Sequence, residues 1–266
     1  MRVNFLPGSG NLHWTAKDFE GNIWLNFSFI LQDSHLIPIA MGTLETSPEV
    51  LILKNILENA LQLEPHFINN QTDYEVITSL EFPNNWGLGS SSTLIANISK
   101  WAKIDALQLF SNSFKGSGYD IAIALESKPI LYSIINKTPD WRVIDYNPLF
   151  SNQLYFVHLG NKQNSREEIA KYQQLKEASI QTIEQINQIT EEIIHCTELD
   201  EFEWLLTKHE SIVAEILNIR PLKERLFQDY SGAIKSLGAW GGDFCLATRA
   251  DANQYFAKKG YKTILT

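Results

Sequence analysis

The chain has 266 residues, 44% of them hydrophobic and 20% charged, a globular composition with material for one large domain or two moderate ones. Basic residues number 22 against 31 acidic ones, a formal charge of −9, and no long face of Lys and Arg interrupts that balance, which argues against nucleic acid as a partner. No apolar run approaches the roughly 20 residues that span a bilayer, and the N-terminus lacks a charged-then-apolar signal pattern, so a cytoplasmic protein without membrane contact is expected.

Residues 1–11 hold Pro7, Gly8, Ser9 and Gly10 and read as a loop. From 12 to 31 the pattern is a β-hairpin: Leu25, Phe27 and Phe29 alternate with Asn26 and Ser28, and Asp18 to Asn22 supplies the turn. Val50, Leu53, Ile56, Leu57, Ala60 and Leu61 recur at helical spacing after Ser47 and Pro48, an N-cap and a first helical residue. Tyr74 to Phe82 reads as a strand. The spacing of Leu94, Ile95, Ile98 and Trp101 predicts a helix over 90–103, and Leu107 to Phe110 a further short one.

Pro129 to Ile135 and Trp141 to Tyr146 read as a strand pair joined by Asn136, Lys137 and Pro139. From about residue 151 the composition shifts. A strand at Leu154 to Leu159 runs into a polar loop holding Lys162, Ser165 and Arg166. Helical spacing then runs from Ile169 to His195 and again from Phe202 to Ile216, and Pro221 opens a shorter helical piece. The end reads as strand, turn, strand, helix, strand: Ala233 to Leu237, Gly238 to Asp243, Phe244 to Thr248, 251–259 and Lys262 to Leu265. With Leu154 to Leu159 that order fits a split βαβ arrangement, an antiparallel sheet covered on one face by helices. His195 and His209 have no histidine at metal-ligand spacing and read as packing or surface residues. Cys196 and Cys245 form no metal spacing and are expected to be free, buried thiols.

Chemistry concentrates at the glycine turns. Pro83-Asn84-Asn85-Trp86-Gly87-Leu88-Gly89-Ser90-Ser91-Ser92-Thr93 joins a strand to a helix. Its glycines let a ligand approach the backbone, the first helical N–H groups have no internal partner, and the helix dipole favours an anion there. A phosphate suits that place, and one of Ser90, Ser91 or Ser92 could offer an oxygen to Mg²⁺. A plain strand-to-helix turn with a serine N-cap explains the same residues without a ligand. The string is neither a P-loop nor a dinucleotide fingerprint.

Lys115-Gly116-Ser117-Gly118-Tyr119-Asp120 is a second glycine turn that opens a helix. Asp120 is either a carboxylate favourably placed at a helix N-terminus or the group that orients a substrate hydroxyl proton. Lys115, Lys162 and Arg166 are the few cations near these turns.

Three motifs in this order resemble the GHMP small-molecule kinases, nearest the mevalonate and phosphomevalonate kinases. Pro83 to Ser91 resembles the family's ATP-binding loop, Gly238-Ala239-Trp240-Gly241-Gly242 its third motif, and Lys115 to Asp120 the Gly-Ser-Gly-x-Asp segment of phosphomevalonate kinases. Gly118-Tyr119-Asp120-Ile121-Ala122 also resembles the signature of the GYDIA-type branch. The resemblance implies an α+β protein with a ribosomal protein S5 domain 2-like domain at 1–150 and a ferredoxin-like domain at 151–266. It implies ATP and Mg²⁺ as cofactors and a small anionic metabolite as substrate.

Carried over by residue, Pro83, Gly87, Leu88, Gly89, Ser90, Ser91 and Ser92 would hold the nucleotide, with Ser91 on Mg²⁺. Gly238, Ala239 and Gly241 would pack against that loop. Asp120 would be the catalytic acid, assisted by Lys115, with Gly116, Ser117, Gly118, Ser165 and Arg166 at the substrate. Three departures stand beside these matches. The family's first motif, a strand with Lys and then Gly-Glu-His or Gly-Glu-Tyr, is absent ahead of the hairpin; Trp240 and Asp243 replace residues that are usually small; and Leu109 stands where mevalonate kinases carry a metal-sharing glutamate. They keep two rival expectations open, a nucleotide-binding protein without kinase activity and a diphosphomevalonate decarboxylase-like enzyme. The oligomeric state is open too, a homodimer included.

Overall fold

Alternation in the first hairpin sets the first sheet. In the computed structural model, which describes residues 1–39, 47–160, 172, 174, 178–238, 240 and 242–266, β2 (Asn11–Lys17) and β3 (Ile23–Gln32) pair antiparallel. Leu12, Trp14 and Ala16 face Leu25, Phe27 and Phe29 in the core, all nearly inaccessible to water. Burying each such side chain contributes about 1.5–3 kcal/mol for the larger ones, which fixes the register. Asp18 closes the turn by accepting the N–H groups of Glu20 and Asn22 at 2.9 and 2.8 Å.

β4 (His35–Pro38) extends the hairpin, and β5 (Thr72–Ser79) joins β2 in parallel. With β1 (Arg2–Pro7) at one edge, the five-stranded sheet has the order β1-β5-β2-β3-β4. Its first member corrects the sequence reading: Arg2–Pro7 is a strand, β1, paired antiparallel with β5 from Arg2 opposite Ile77 to Pro7 opposite Thr72. Only Val3 of this strand escapes full exposure, so no burial alternation announces it. The loop residues expected there are confined to Gly8–Gly10, where Asp73 accepts the Ser9 and Asn11 N–H groups at 2.9 and 2.8 Å.

Helix α1 (Pro48–Leu63) starts as its sequence signals require, with the Ser47 hydroxyl accepting from the Val50 N–H at 3.3 Å. Helices α2 (Ser90–Ala102) and α3 (Ala106–Ser113) pack with it, and α4 (Tyr119–Glu126) packs against α2 and α3. A separate hairpin, β6 (Ile130–Ile135) and β7 (Thr138–Val143), turns at Asn136 and Lys137; Pro139 lies within β7 rather than in the turn. These elements belong to a first unit of Met1–Asn84 and Leu88–Ile144.

The second unit comprises Asp145–Thr266 together with Asn85–Gly87. Its sheet contains β8 (Leu154–His158), β9 (Ile234–Ser236), β10 (Phe244–Thr248) and β11 (Lys262–Leu265) in the order β11-β8-β10-β9, all antiparallel. Between β8 and β9 run α5 (Ile180–His195), α6 (Leu199–Ile216) and α7 (Leu222–Leu226); α8 (Ala252–Lys258) joins β10 to β11. This is the ferredoxin-like order. Ser179 caps α5 through the Thr182 N–H at 3.1 Å; the expected helical positions Ile169 and Leu175 lie outside the described residues.

Carboxylates of α6 tie that helix to the strands. Glu203 accepts from Arg249 at 2.9 and 2.6 Å and from Thr248. Buried Glu210 accepts from the Ser236 N–H and hydroxyl at 3.1 and 2.8 Å and pairs with Lys235 at 3.1 Å. Cys196 and Cys245 are free and buried, as expected. Among the described residues no helix is long and apolar enough to cross a membrane.

Candidate functional site

Glycine builds the turn between β5 and α2. Gly87 and Gly89 have φ of +67° and +73°, the left-handed region that penalises a Cβ. Gly89 is the N-cap of α2, so the expected serine N-cap is corrected: Ser90, Ser91 and Ser92 already lie within the first turn, and no side chain bonds the leading N–H groups. The Thr93 hydroxyl instead donates back to the Gly89 and Ser90 carbonyls at 3.3 and 3.0 Å. No acidic side chain stands in the first turn. Ser90 and Ser91 are exposed, and a Cβ at Gly89 would meet nothing within 4 Å. The positive end of the helix dipole is therefore open to an anion, with backbone donors that the helix itself does not use.

The second glycine turn is tighter. Gly118, at φ +83°, is the N-cap of α4, and a Cβ there would come 3.0 Å from Leu107. Asp120 follows in the first helical turn, solvent-exposed beside exposed Tyr119. Protein around the Asp120 carboxyl displaces water and raises its pKa, against a hydrogen bond from Tyr119 that lowers it. Desolvation, then the charge and hydrogen bond of Asp120, push the Tyr119 hydroxyl up to about 12.

Hairpin β6–β7 holds this turn from the side. The Tyr132 hydroxyl donates to the Ser117 carbonyl, and its ring meets Tyr119 edge-on at 6.4 Å and stacks on Trp141. Trp141 in turn donates to Glu126 at the last residue of α4, at 3.0 Å. Both ends of α4 are thus pinned by one hairpin. Lys115, Gly116 and Ser117 form the exposed approach to it. Since α2 packs against α4, the helices opening on Ser91 and on Asp120 belong to one layer.

In the second unit, Trp86 stacks on His158 at 5.3 Å and meets Phe244 edge-on at 5.5 Å. The His158 Nε2 is buried without a hydrogen-bond partner; desolvation lowers its pKa, with Asp243 opposing and Lys262 reinforcing the shift. The carboxylate of Asp243 lies against Gly87, so that a Cβ there would come within 2.5 Å of it. Gly87 is thus favoured by its φ, and a Cβ there would push the Asp243 carboxylate aside. Gly238 has φ +61° and Trp240, without glycine's freedom, +57°. Ala239, Gly241, Lys162, Ser165 and Arg166 lie outside the described residues.

Leu109 is fully buried in the first core and presents nothing to a ligand. Among the described residues, no group of three or more His, Cys, Asp or Glu side chains could hold a metal ion. Sequence reasoning missed Tyr132, Trp141 and the Trp86–His158 stack. Tyr119 was legible as Asp120's neighbour, whereas Tyr132 reaches Ser117 across 15 residues and no local pattern announces it.

No protein-family model matches the chain, and no curated protein matches it by sequence. Solved structures do match in fold. Mevalonate kinase from L. major, in complex with R-mevalonate, superposes with a TM-score of 0.61 at 16% identity, covering 97% of this chain and 80% of that one. Streptococcus pneumoniae phosphomevalonate kinase, in complex with phosphomevalonate and AMPPNP, gives 0.65 at 12% identity, covering 99% and 89%. Lactococcus lactis galactokinase complexed with galactose gives 0.63 at 13%, covering 98% and 83%. The chain therefore has, over nearly its whole length, the two-domain α+β fold of the GHMP kinases.

Proposed function

We propose that the protein is an ATP-dependent phosphotransferase of the GHMP kinase type, acting on a small anionic metabolite such as mevalonate or phosphomevalonate. The observation that carries the reading is the N-terminus of α2: a left-handed glycine cap, no capping side chain and no acid in the first turn. That arrangement suits a phosphate chain, and the fold supports it. ATP would supply the phosphoryl group. Gly87, Gly89, Ser90 and Ser91 would hold the nucleotide phosphates through backbone and hydroxyl donors, with Pro83, Leu88 and Ser92 shaping the loop. Gly238, Ala239 and Gly241 would pack against it.

Asp120 accepts or orients the proton of the substrate hydroxyl. Its raised pKa makes it a stronger base than an ordinary aspartate, and Tyr119 holds the carboxyl in place. Lys115 stabilises developing charge, Gly116, Ser117 and Gly118 shape the substrate side, and Ser165 and Arg166 contact the substrate anion. Phosphoryl transfer depends mainly on such positioning and charge neutralisation. Mg²⁺ fits less fully: Ser91 offers one hydroxyl, Leu109 replaces the second carboxylate by a buried alkyl group, and phosphate oxygens and water would have to complete the shell. That replacement favours, as a second reading, a nucleotide-binding protein without phosphotransfer.

Calorimetry with ATP and Mg²⁺ on the 266-residue chain and on Ser91→Ala, followed by coupled ADP release with mevalonate and phosphomevalonate, tests both readings. Phosphotransfer predicts ATP binding weakened by Ser91→Ala, and turnover that Asp120→Ala abolishes while ATP still binds. ATP binding without turnover on any small hydroxylated anion would leave the second reading, and no ATP binding by the folded chain refutes both.

A further inference from the structure

Two segments of the first unit close on the turn that precedes Asp120. On one side stands α3: a Cβ at Gly118 would come 3.0 Å from the Leu107 Cδ2, and one at Gly116 would come 3.1 Å from the Phe110 Cζ. On the other stands β6, whose Tyr132 hydroxyl donates to the Ser117 carbonyl and would lie 3.7 Å from the same Gly118 Cβ. The turn is therefore walled on both sides. The second wall is itself held, because the Tyr132 ring stacks on Trp141 of β7 within an antiparallel ladder that runs from Ile130 opposite Val143 to Ile135 opposite Thr138.

Tyr132 also reaches the neighbour of the carboxylate. Its ring meets Tyr119 edge-on at 6.4 Å, and the Tyr119 hydroxyl donates to the Asp120 carboxyl. An edge-to-face pair favours one orientation of its two rings, so Tyr132 helps to set where that hydroxyl lies. The turn has no such restraint of its own: Gly118 caps α4 without a side-chain bond, and at φ +83° glycine is as free to leave that conformation as to adopt it. The hairpin grips α4 a second time where Trp141 donates to Glu126 at 3.0 Å. At a rise of 1.5 Å per residue that grip lies about 9 Å along the helix from Asp120. It supports the helix without touching the turn.

We propose that Tyr132 is a positioning residue for Asp120: its hydroxyl on the Ser117 carbonyl and its ring against Tyr119 hold the glycine turn so that the carboxylate keeps one position. Its consequence for turnover rests on the phosphotransferase reading, in which that carboxylate must meet a substrate hydroxyl within hydrogen-bond reach. A misplacement of about 1 Å from such a geometry costs about 100-fold in rate. The hold on the turn does not depend on that reading.

Carbon-13 NMR titration of the Asp120 carboxyl in the full chain, assigned by its loss in Asp120→Asn, tests the hold without ATP or substrate. In the wild type the group should titrate above an ordinary aspartate, because displaced water outweighs the Tyr119 hydrogen bond. Tyr132→Phe, which removes one oxygen, should loosen the turn, admit water and bring the titration back towards the ordinary value. Glu126→Ala, which removes only the far grip, should leave it unmoved. Should Tyr132→Phe fail to fold, Trp141→Leu removes the ring that backs Tyr132 and should produce the same fall. A wild-type carboxyl already at the ordinary value overturns the proposal, as does an equal titration in wild type and Tyr132→Phe, or an equal fall in Glu126→Ala. In coupled ADP release, Tyr132→Phe should lower kcat at least about tenfold with KM for ATP unchanged, while Glu126→Ala keeps the wild-type rate. A kcat for Tyr132→Phe within about twofold of an active wild type overturns the proposal as well. A wild-type chain without turnover counts against the phosphotransferase reading alone, and the titration still decides on Tyr132, so the two fail separately.

Discussion

Replacing Ser91 by Asp puts a carboxylate into the first turn of α2, where no acidic side chain now stands. On its own the change favours the fold. A negative charge at a helix N-terminus contributes about 0.3–1 kcal/mol, which raises Tm by roughly 1–4 °C in a chain of this size. For a bound triphosphate the sign reverses. Two unit charges about 4 Å apart at an effective dielectric of about 20 repel by about 4 kcal/mol, close to a thousandfold in Kd. Stability should therefore rise while ATP affinity collapses, a combination that general damage to the loop cannot produce. Scanning calorimetry gives the first quantity and isothermal titration with Mg-ATP the second, both at about 0.15 M salt, where the exposed serine leaves the dipole gain at its lower end. If Ser91→Asp binds ATP within threefold of wild type, the nucleotide is not at this N-terminus and the reasoning fails. A lowered Tm would show instead that the leading N–H groups are engaged by a partner the carboxylate displaces.

Gly87→Ala and Gly89→Ala should separate in urea denaturation. Both put a Cβ at positive φ, about 1–2 kcal/mol each, but only Gly87 brings it within 2.5 Å of the Asp243 carboxylate, so Gly87→Ala should cost clearly more; equal losses would refute that packing. His209 supplies a pH test: burial first, then the Lys235 charge, lower its pKa to about 4, with Glu210 opposing, and its Nδ1 is buried unpaired. The folded state thus binds this proton less readily than the unfolded chain, and stability is lost as pH falls from about 6.5 towards 4, by about 2 kcal/mol between pH 7 and 5. His209→Gln should lose that much less over the same interval, and parallel wild-type and variant curves would contradict the assignment. Glu210→Ala strips half-buried Lys235 and buried Ser236 of their acceptor and should destabilise the chain by about 3–5 kcal/mol in chemical denaturation; a loss below about 1 kcal/mol would mean that Glu210 does not anchor α6 to β9.

Where a physical signal is local, the sequence carried it. The β2–β3 hairpin followed from alternation and from Asp18, and α1 from Ser47 and Pro48. The order of elements after residue 151 already implied the ferredoxin-like sheet, since a four-stranded antiparallel unit with helical crossovers has few ways to close. Both glycine turns were legible as helix openings because few residues besides glycine accept positive φ so readily.

Other features depend on partners distant in the chain. β1 has no amphipathic pattern of its own and exists because β5 offers its edge. Tyr132 reaches Ser117, Trp86 settles on His158, and Asp243 comes to lie against Gly87 only after separate elements have packed. From the hairpin at β2 onwards, composition, periodicity and turn chemistry by themselves determined most element types, their order and the candidate anion turns, because these rest on interactions between residues a few positions apart. The tertiary structure alone decided which strand edge β1 occupies, that α2 opens on glycine rather than on a serine cap, and which aromatic residues clasp the Asp120 turn. Those outcomes depend on which surfaces meet, and burial and hydrogen bonding between distant segments settle that question only when the whole chain is folded.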